Sequence, residues 1–138
     1  MRGGGGPLII ASMRAPARRD ERGAAVLEFA IVLPLLVLFV FGIVEFGRAY
    51  SARITLTAAV REGARAAALG GDAAASTKNA ASGLKSSAIT VTTVACPANP
   101  DPTTNASVQA TYPFAYDIPL LGRGTWTLNA TGVMRCGG

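Results

Sequence analysis

Residues 23–44 read GAAVLEFAIVLPLLVLFVFGIV, a nearly unbroken apolar run with one carboxylate, Glu28, close to its start. From Phe29 to Val44 no residue is charged. This uncharged part is slightly shorter than the roughly 20 apolar residues that a helix needs to cross a bilayer. A full span must therefore include Glu28, and a carboxylate in a membrane is costly unless it has a partner or a function. The run predicts a transmembrane helix over residues 24–46.

The residues before the span predict its orientation. Residues 1–23 are expected to form a flexible cytoplasmic leader that begins at Met1 or Met13, because this stretch is rich in glycine, proline and arginine. By the positive-inside rule, the leader lies in the cytoplasm and the C-terminal part lies outside. Four arginines beyond the span oppose this rule weakly, since they are spread along a predicted helix with Glu45 and Glu62. The basic residues of the leader are Arg2, Arg14, Arg18, Arg19 and Arg22.

The helix is predicted to begin near Ala24 and to continue past the membrane to Leu69, followed by a stop at Gly70 and Gly71. Residues 47–71 are the extracytoplasmic continuation of this helix. At its start Glu45 and Arg48 are three residues apart, a spacing that lets them pair or reach toward lipid headgroups. Five small or aliphatic residues form an apolar stripe that predicts the buried face of the continuation. They are Ala49, Leu56, Val60, Ala64 and Ala67.

Residues 72–138 are predicted to form a small extracytoplasmic α+β domain. A short helix is expected over residues 77–86 with Ser76 as its N-cap. Residues 113–122 contain two prolines and are expected to be irregular. Val, Ile and Thr enrichment or alternation predicts three antiparallel strands, over residues 88–95, 106–112 and 125–135. The fold class is therefore α+β, with a long N-terminal helix packed on a small three-stranded antiparallel sheet.

The two cysteines, Cys96 and Cys136, both follow the span. A disulfide, part of a metal site or two free thiols would each account for them. The chain has no histidine, and two cysteines without histidine make a poor zinc site. In an extracytoplasmic domain the pair favours a disulfide.

Composition and motifs argue against catalysis and nucleic-acid binding. The net charge is +5, but the basic residues flank the span and do not alternate with aromatic ones in a stacking pattern. There is no Gly-rich phosphate loop, no nucleophile elbow and no histidine to act as a general base. We therefore predict a protein that is not an enzyme, with no cofactor, no bound metal, no nucleic-acid partner and no small-molecule substrate.

Several short segments stand in a recognisable arrangement. A glycine ends the basic leader, a small residue follows it, and a glutamate is the fifth residue after that glycine. Four segments carry this arrangement and continue it along the helix: RGAAVLEFA (residues 22–30), LP (33–34), FGIVEFGR (41–48) and REGAR (61–65). Less specific segments follow near the C-terminus: YPF (112–114), PLL (119–121) and ATGVMR (130–135). Together they resemble the TadE-like family, the minor pilins or pseudopilins of tight adherence (Flp) pilus systems.

The resemblance implies a pilin-like fold and a function in assembly of a Flp-type pilus. It implies that a prepilin peptidase cuts between Gly23 and Ala24, and that Glu28 then pairs with a freed α-amino group and sets the register of the helix. The implied partners are the membrane, the prepilin peptidase, other pilin or pseudopilin subunits and pilus assembly proteins. The implied location is the bacterial cytoplasmic (inner) membrane, crossed once, or a surface pilus.

Two other interpretations of the span stay open. An unprocessed membrane anchor carrying an extracytoplasmic binding domain would place Glu28 in the headgroup layer. A secretory signal peptide normally has an apolar region of about 7–15 residues that ends in small residues. Here the apolar run is longer, and the candidate signal-peptidase site, Ala49-Tyr50-Ser51, lies beyond Glu45 and Arg48. For the REGAR segment, an interaction surface and a solvated helix face are both possible.

Overall fold

The structure is a computed structural model that describes the backbone of residues 20–137 and the side chains of residues 23–137. Val37–Gly138 forms one compact unit, and the chain before it belongs to a second. The α+β class predicted from the sequence is confirmed. The elements in chain order are α1 (Asp20–Ala68), α2 (Ala73–Ala80), a 3-10 turn (Ser86–Ala88), β1 (Thr90–Val94), β2 (Asn105–Ile118) and β3 (Gly122–Arg135).

Helix α1 begins earlier than predicted. Its first residue is Asp20 and not Ala24, so residues 20–22 are helical, whereas the sequence predicted a flexible leader there. The rest of the predicted flexible leader, residues 1–19, lies outside the described residues. The helix continues through Pro34 and ends at Ala68. Gly70 has a φ of 74°, and the Gly71 N–H donates to the Ala66 carbonyl at 2.8 Å, so the predicted glycine stop is confirmed.

The core lies between the second half of α1 and the sheet. The predicted apolar stripe is confirmed, since each of its five members is buried. Leu56 and Val60 are its largest fully buried side chains, and they belong to one cluster with Val108 of β2 and Ala130 of β3. Most of the remaining core residues are alanines. Because the transfer free energy scales with apolar area, about 25 cal/mol per Å², a core of alanines is weakly stabilising.

Helix α2 differs from the sequence prediction. The prediction of a helix over residues 77–86 with Ser76 as its N-cap is wrong. Asp72 is the N-cap, and its Oδ1 accepts the Ala75 N–H at 3.0 Å. With Asp72 as its N-cap, the helix ends at Ala80. Gly83 lies beyond this end and has a φ of 84°. Asp and Ser are comparable N-caps, so local sequence alone does not choose between them.

The sheet is an antiparallel meander in the order β1-β2-β3. The prediction that residues 113–122 are irregular is wrong for most of that segment, because β2 continues to Ile118 and pairs with β3 along its whole length. Strand β1 pairs with β2 only as far as Thr111. Pro113 therefore lies beyond the part of β2 that pairs with β1, where that side of β2 is a free edge. Proline has no backbone N–H, but at this position no hydrogen bond to β1 is lost.

The two long strands meet in a tight hairpin. The Leu121 N–H donates to the Ile118 carbonyl at 3.1 Å. Leu120 has a φ of 70° and Gly122 a φ of 91°. Both values lie in the left-handed region, which glycine adopts freely and leucine rarely does. The hairpin tip, defined as residues 118–122, is thus tight and apolar.

Candidate functional site

The predicted processing site lies inside α1. Gly23 and Ala24 are helical and exposed, and the helix extends N-terminal to both. A Cβ built on Gly23 would meet no other atom within 4 Å. Packing within the chain therefore does not require glycine at this position. In a helix glycine costs about 0.5–1 kcal/mol relative to alanine, so Gly23 does not stabilise α1.

Glu28 is placed on the same face of α1 as Ala24. The two residues are four apart in a helix, so they are neighbours one turn from each other, about 6 Å along the axis. Glu28 is exposed, and no cation among residues 23–137 forms an ion pair with it. Among residues 23–137, Glu28 is thus a carboxylate without a cationic partner, one turn after the predicted cleavage position.

Most of the apolar half of α1 is exposed. Within residues 20–137, one helix is long and apolar enough to cross a membrane, and none of its most apolar window is buried inside the chain. Large exposed apolar side chains follow one another through this segment, and Val26, Phe29, Ile31, Phe39 and Ile43 are each more than 60% exposed. Soluble monomers rarely expose a contiguous apolar surface of this kind. A helix of this composition is suited to membrane anchoring.

Glu45 and Arg48 form an ion pair at the end of the apolar run, as their spacing predicted. Arg48 Nη1 donates to Glu45 Oε1 at 2.7 Å. Sequence reasoning missed that Glu45 is 6% exposed. Its Oε2 is buried and accepts no hydrogen bond from any described residue. The Arg48 guanidinium lies 5.6 Å from the centre of the Phe114 ring, a distance at which a cation is attracted to an aromatic face.

The REGAR segment has two faces with different surroundings. Arg61, Glu62 and Arg65 are exposed, whereas Gly63 and Ala64 are buried. A Cβ on Gly63 would overlap the hydroxyl oxygen of Thr77 and lie 3.1 Å from the Ala73 carbonyl oxygen. Gly63 therefore lets α2 pack directly on α1. The glycine serves intramolecular packing, and the exposed charges remain available for a partner or for solvent.

The predicted disulfide is present between Cys96 and Cys136, whose Cα atoms are 5.8 Å apart. Cys96 follows β1, and Cys136 follows β3, so the bond joins the two outer strands across the end of β2. The Cys136 N–H also donates to the Thr104 carbonyl at 2.9 Å. The disulfide therefore closes the end of the sheet opposite the hairpin tip.

The exposed apolar helix continues into a small disulfide-bonded α+β unit. The class of protein defined by this arrangement has an N-terminal helix suited to membrane anchoring and a compact C-terminal part. Residues 23–65 match the model of the family described as TadE-like protein. The match begins at Gly23 and includes Glu28, Glu45 and the REGAR segment. It confirms the resemblance found in the sequence and associates the chain with Tad pilus systems. No curated protein and no solved structure is significantly similar to the chain.

Proposed function

We propose that this protein is a TadE-like minor pilin or pseudopilin that takes part in assembly of a tight adherence (Flp-type) pilus. The observation that carries the proposal is the family match from residue 23 onward, on a helix whose apolar surface is largely exposed. The function is one of packing between helices, either in the membrane or in a bundle of pilin subunits. The partners are the membrane, a prepilin peptidase, other pilin-like subunits and pilus assembly proteins.

Processing would take place at the bond between Gly23 and Ala24. Hydrolysis of that peptide bond consumes one water, leaves a carboxylate on Gly23 and frees an ammonium group on Ala24. A positive charge at a helix N-terminus is unfavourable with respect to the helix dipole, and the Glu28 carboxylate one turn away offsets it. The same carboxylate can pair with the Ala24 ammonium group of a neighbouring subunit, which would set the register between helices.

The helical geometry at residue 23 adds a requirement. Because α1 begins at Asp20, the scissile bond lies in the first turns of a helix. A peptidase needs an extended segment, so these turns must open before cleavage. Helix ends lack part of their backbone hydrogen bonds and fray, and the glycine lowers the cost of opening.

The proposed orientation puts the leader in the cytoplasm and the sheet outside the inner membrane. The arginines before the span favour this orientation. The Cys96–Cys136 disulfide agrees with it, because disulfides persist in oxidising compartments and are rare in the cytoplasm.

Mass spectrometry of the membrane-bound protein tests the proposal. We expect the mature chain to begin at Ala24, and we expect Gly23→Val to abolish this species without loss of membrane insertion. Ala25→Val is the matched control, since it adds an equally branched side chain nearby and should still be processed. A mature chain that begins at Met1 or Met13 would support the alternative, an unprocessed membrane-anchored binding domain.

A further inference from the structure

The hairpin tip lies beside the apolar part of α1. Ile118 and Leu121 form one wall of an open groove of about 390 Å³, and α1 forms the other. The groove has no charged residue in its lining. The α1 residues in the lining are Leu38, Phe39, Gly42, Ile43 and Phe46. Four of these five belong to the uncharged run of residues 29–44, so the tip is level with the proposed span and not above it.

The course of β2 explains this level. Phe114 contacts the Arg48 guanidinium at the end of the span. From Phe114 the strand continues for four residues to Ile118, about 13 Å at the usual rise of a strand. Nine helical steps along α1, from Arg48 back to Phe39, cover a similar distance, about 13.5 Å. Strand β2 thus descends alongside α1 into the region that the span occupies.

The composition of the tip is unusual for a β-turn. Leu120 is 79% exposed and Leu121 is 69% exposed. Leu120 also adopts a φ of 70°, a left-handed conformation that is unfavourable for a residue other than glycine. Glycine or asparagine would relieve the strain and suit water better. The exposed side chains of Leu120 and Leu121 are therefore unfavourable in water and favourable in an apolar medium.

Residues next to the tip have the chemistry of a membrane interface. Tyr116 and Trp126 pair with ring centres 4.7 Å apart, and such amphipathic rings are enriched at headgroup level. Arg123 pairs with Asp117 at 2.7 Å, and its side chain is 84% exposed. A long arginine side chain at this position can reach the phosphate of a lipid while its methylene groups stay in apolar surroundings.

We propose that the β2–β3 hairpin tip inserts into the outer leaflet beside α1 and that a phospholipid acyl chain fills the groove between them. The inference rests on the membrane anchoring that the proposed function requires. A lipid is the occupant that the observations favour over a second protein chain. One wall of the groove is the span itself, the lining offers no polar group for a protein partner, and Arg123 is placed to meet a phosphate.

Fluorescence quenching in vesicles tests the insertion. Trp126 is the single tryptophan, so Trp126→Phe gives a background without indole. In this background the full chain carries Leu121→Trp, Phe39→Trp or Val94→Trp and is reconstituted in phosphatidylcholine–phosphatidylglycerol vesicles with brominated acyl chains. Val94 is the matched control, because it is 60% exposed but lies at the opposite end of the sheet. We expect quenching and a blue-shifted emission at positions 39 and 121, and neither at position 94.

The pattern of quenching distinguishes a failure of the tip insertion from a failure of the membrane anchoring. Quenching at position 39 but not at position 121 overturns the insertion of the tip and leaves membrane anchoring intact. Quenching at neither position overturns the anchoring on which the inference rests.

A photo-crosslinking variant, Leu121→benzoylphenylalanine, identifies the occupant in cell membranes. An adduct of lipid mass supports the proposal. An adduct with a second copy of this chain, or with another protein, overturns the assignment of the groove to lipid.

Discussion

Gly132 of β3 lies against the backbone of Val60 in α1, so closely that a Cβ at position 132 would come within 2.7 Å of the Val60 carbonyl carbon. The space that a Cβ at Gly132 would occupy is filled by backbone atoms of α1 and not by a flexible side chain. Helix α1 and strand β3 therefore cannot make room for it unless the whole helix shifts on the sheet. Val60 and Val108 are fully buried at this contact region. The contact sets the distance between α1 and the sheet, which is the structural basis of the core.

Gly132→Ala should destabilise the compact unit because it forces α1 away from β3. We expect a loss of about 1–3 kcal/mol in the free energy of unfolding, the usual range for overpacking a core. Urea unfolding in detergent micelles measures it. Thr131→Ala, on the exposed opposite face of the same strand, is the matched control and should change stability little. Equal effects of the two variants would contradict the close-contact interpretation.

Gly63→Ala should destabilise the packing of α2 on α1, since the new methyl group would overlap the Thr77 hydroxyl. Thr77→Ala removes that hydroxyl, so the double variant should recover part of the loss. The coupling free energy from this double-mutant cycle is expected at about 0.5–3 kcal/mol.

Gly47→Ala is the matched control for Gly63→Ala. A Cβ at Gly47 meets no atom within 4 Å. The substitution should therefore stabilise the helix, by about 0.5–1 kcal/mol. If Gly47→Ala leaves the isolated protein stable but prevents pilus assembly, the glycine serves an intermolecular contact. If Gly63→Ala and Gly47→Ala have the same effect on unfolding, the packing role of Gly63 is wrong.

Removal of the disulfide should weaken the sheet strongly. Cys96 and Cys136 are 40 positions apart, and in the chain-entropy model closure of a loop of this size contributes about 4 kcal/mol. The alanine-rich core offers little to offset the loss. Cys96→Ser combined with Cys136→Ser should lower the melting temperature and the protease resistance of the C-terminal part. Dithiothreitol should lower them in the unaltered protein and not in the double variant. An unchanged melting temperature would show that the bond does not contribute to stability.

Glu28→Leu should separate insertion from assembly. Removal of a carboxylate from the edge of the hydrocarbon makes membrane insertion easier. If Glu28 pairs with an Ala24 ammonium group, its loss leaves that cation without a partner, and breaking a buried pair from one side typically costs about 3–5 kcal/mol. We therefore expect normal membrane levels but loss of co-purification with pilin partners and loss of pili.

Glu28→Asp keeps the charge with a shorter reach, and we expect an intermediate result. Pull-down and pilus counts compare both variants with the unaltered protein, with the amount in the membrane as the control. Normal piliation by Glu28→Leu would show that the glutamate is only a residue at the edge of the anchor.

Local sequence was sufficient for the features that depend on periodicity and residue type. The apolar run and the stripe of α1 follow from helical periodicity, because the same side of a helix recurs every three or four residues. The stop at Gly70 and Gly71 follows from the conformational freedom of glycine. The Cys96–Cys136 bond was predictable because the chain has only these two cysteines and no histidine. The spacing of Gly23 and Glu28 marks the candidate processing site without any knowledge of the fold.

Only the tertiary structure decided the features that depend on distant neighbours. Strand β2 can include Pro113 because β1 does not extend along β2 as far as that residue. The local sequence around Pro113 does not reveal how far β1 extends. Asp72 rather than Ser76 caps α2, and the helix that it starts packs on α1 at Gly63. Glu45 is buried, and the hairpin tip lies beside the apolar part of α1, because the sheet folds back along α1. Each of these depends on contacts between segments far apart in the chain, which residue type and local spacing do not encode.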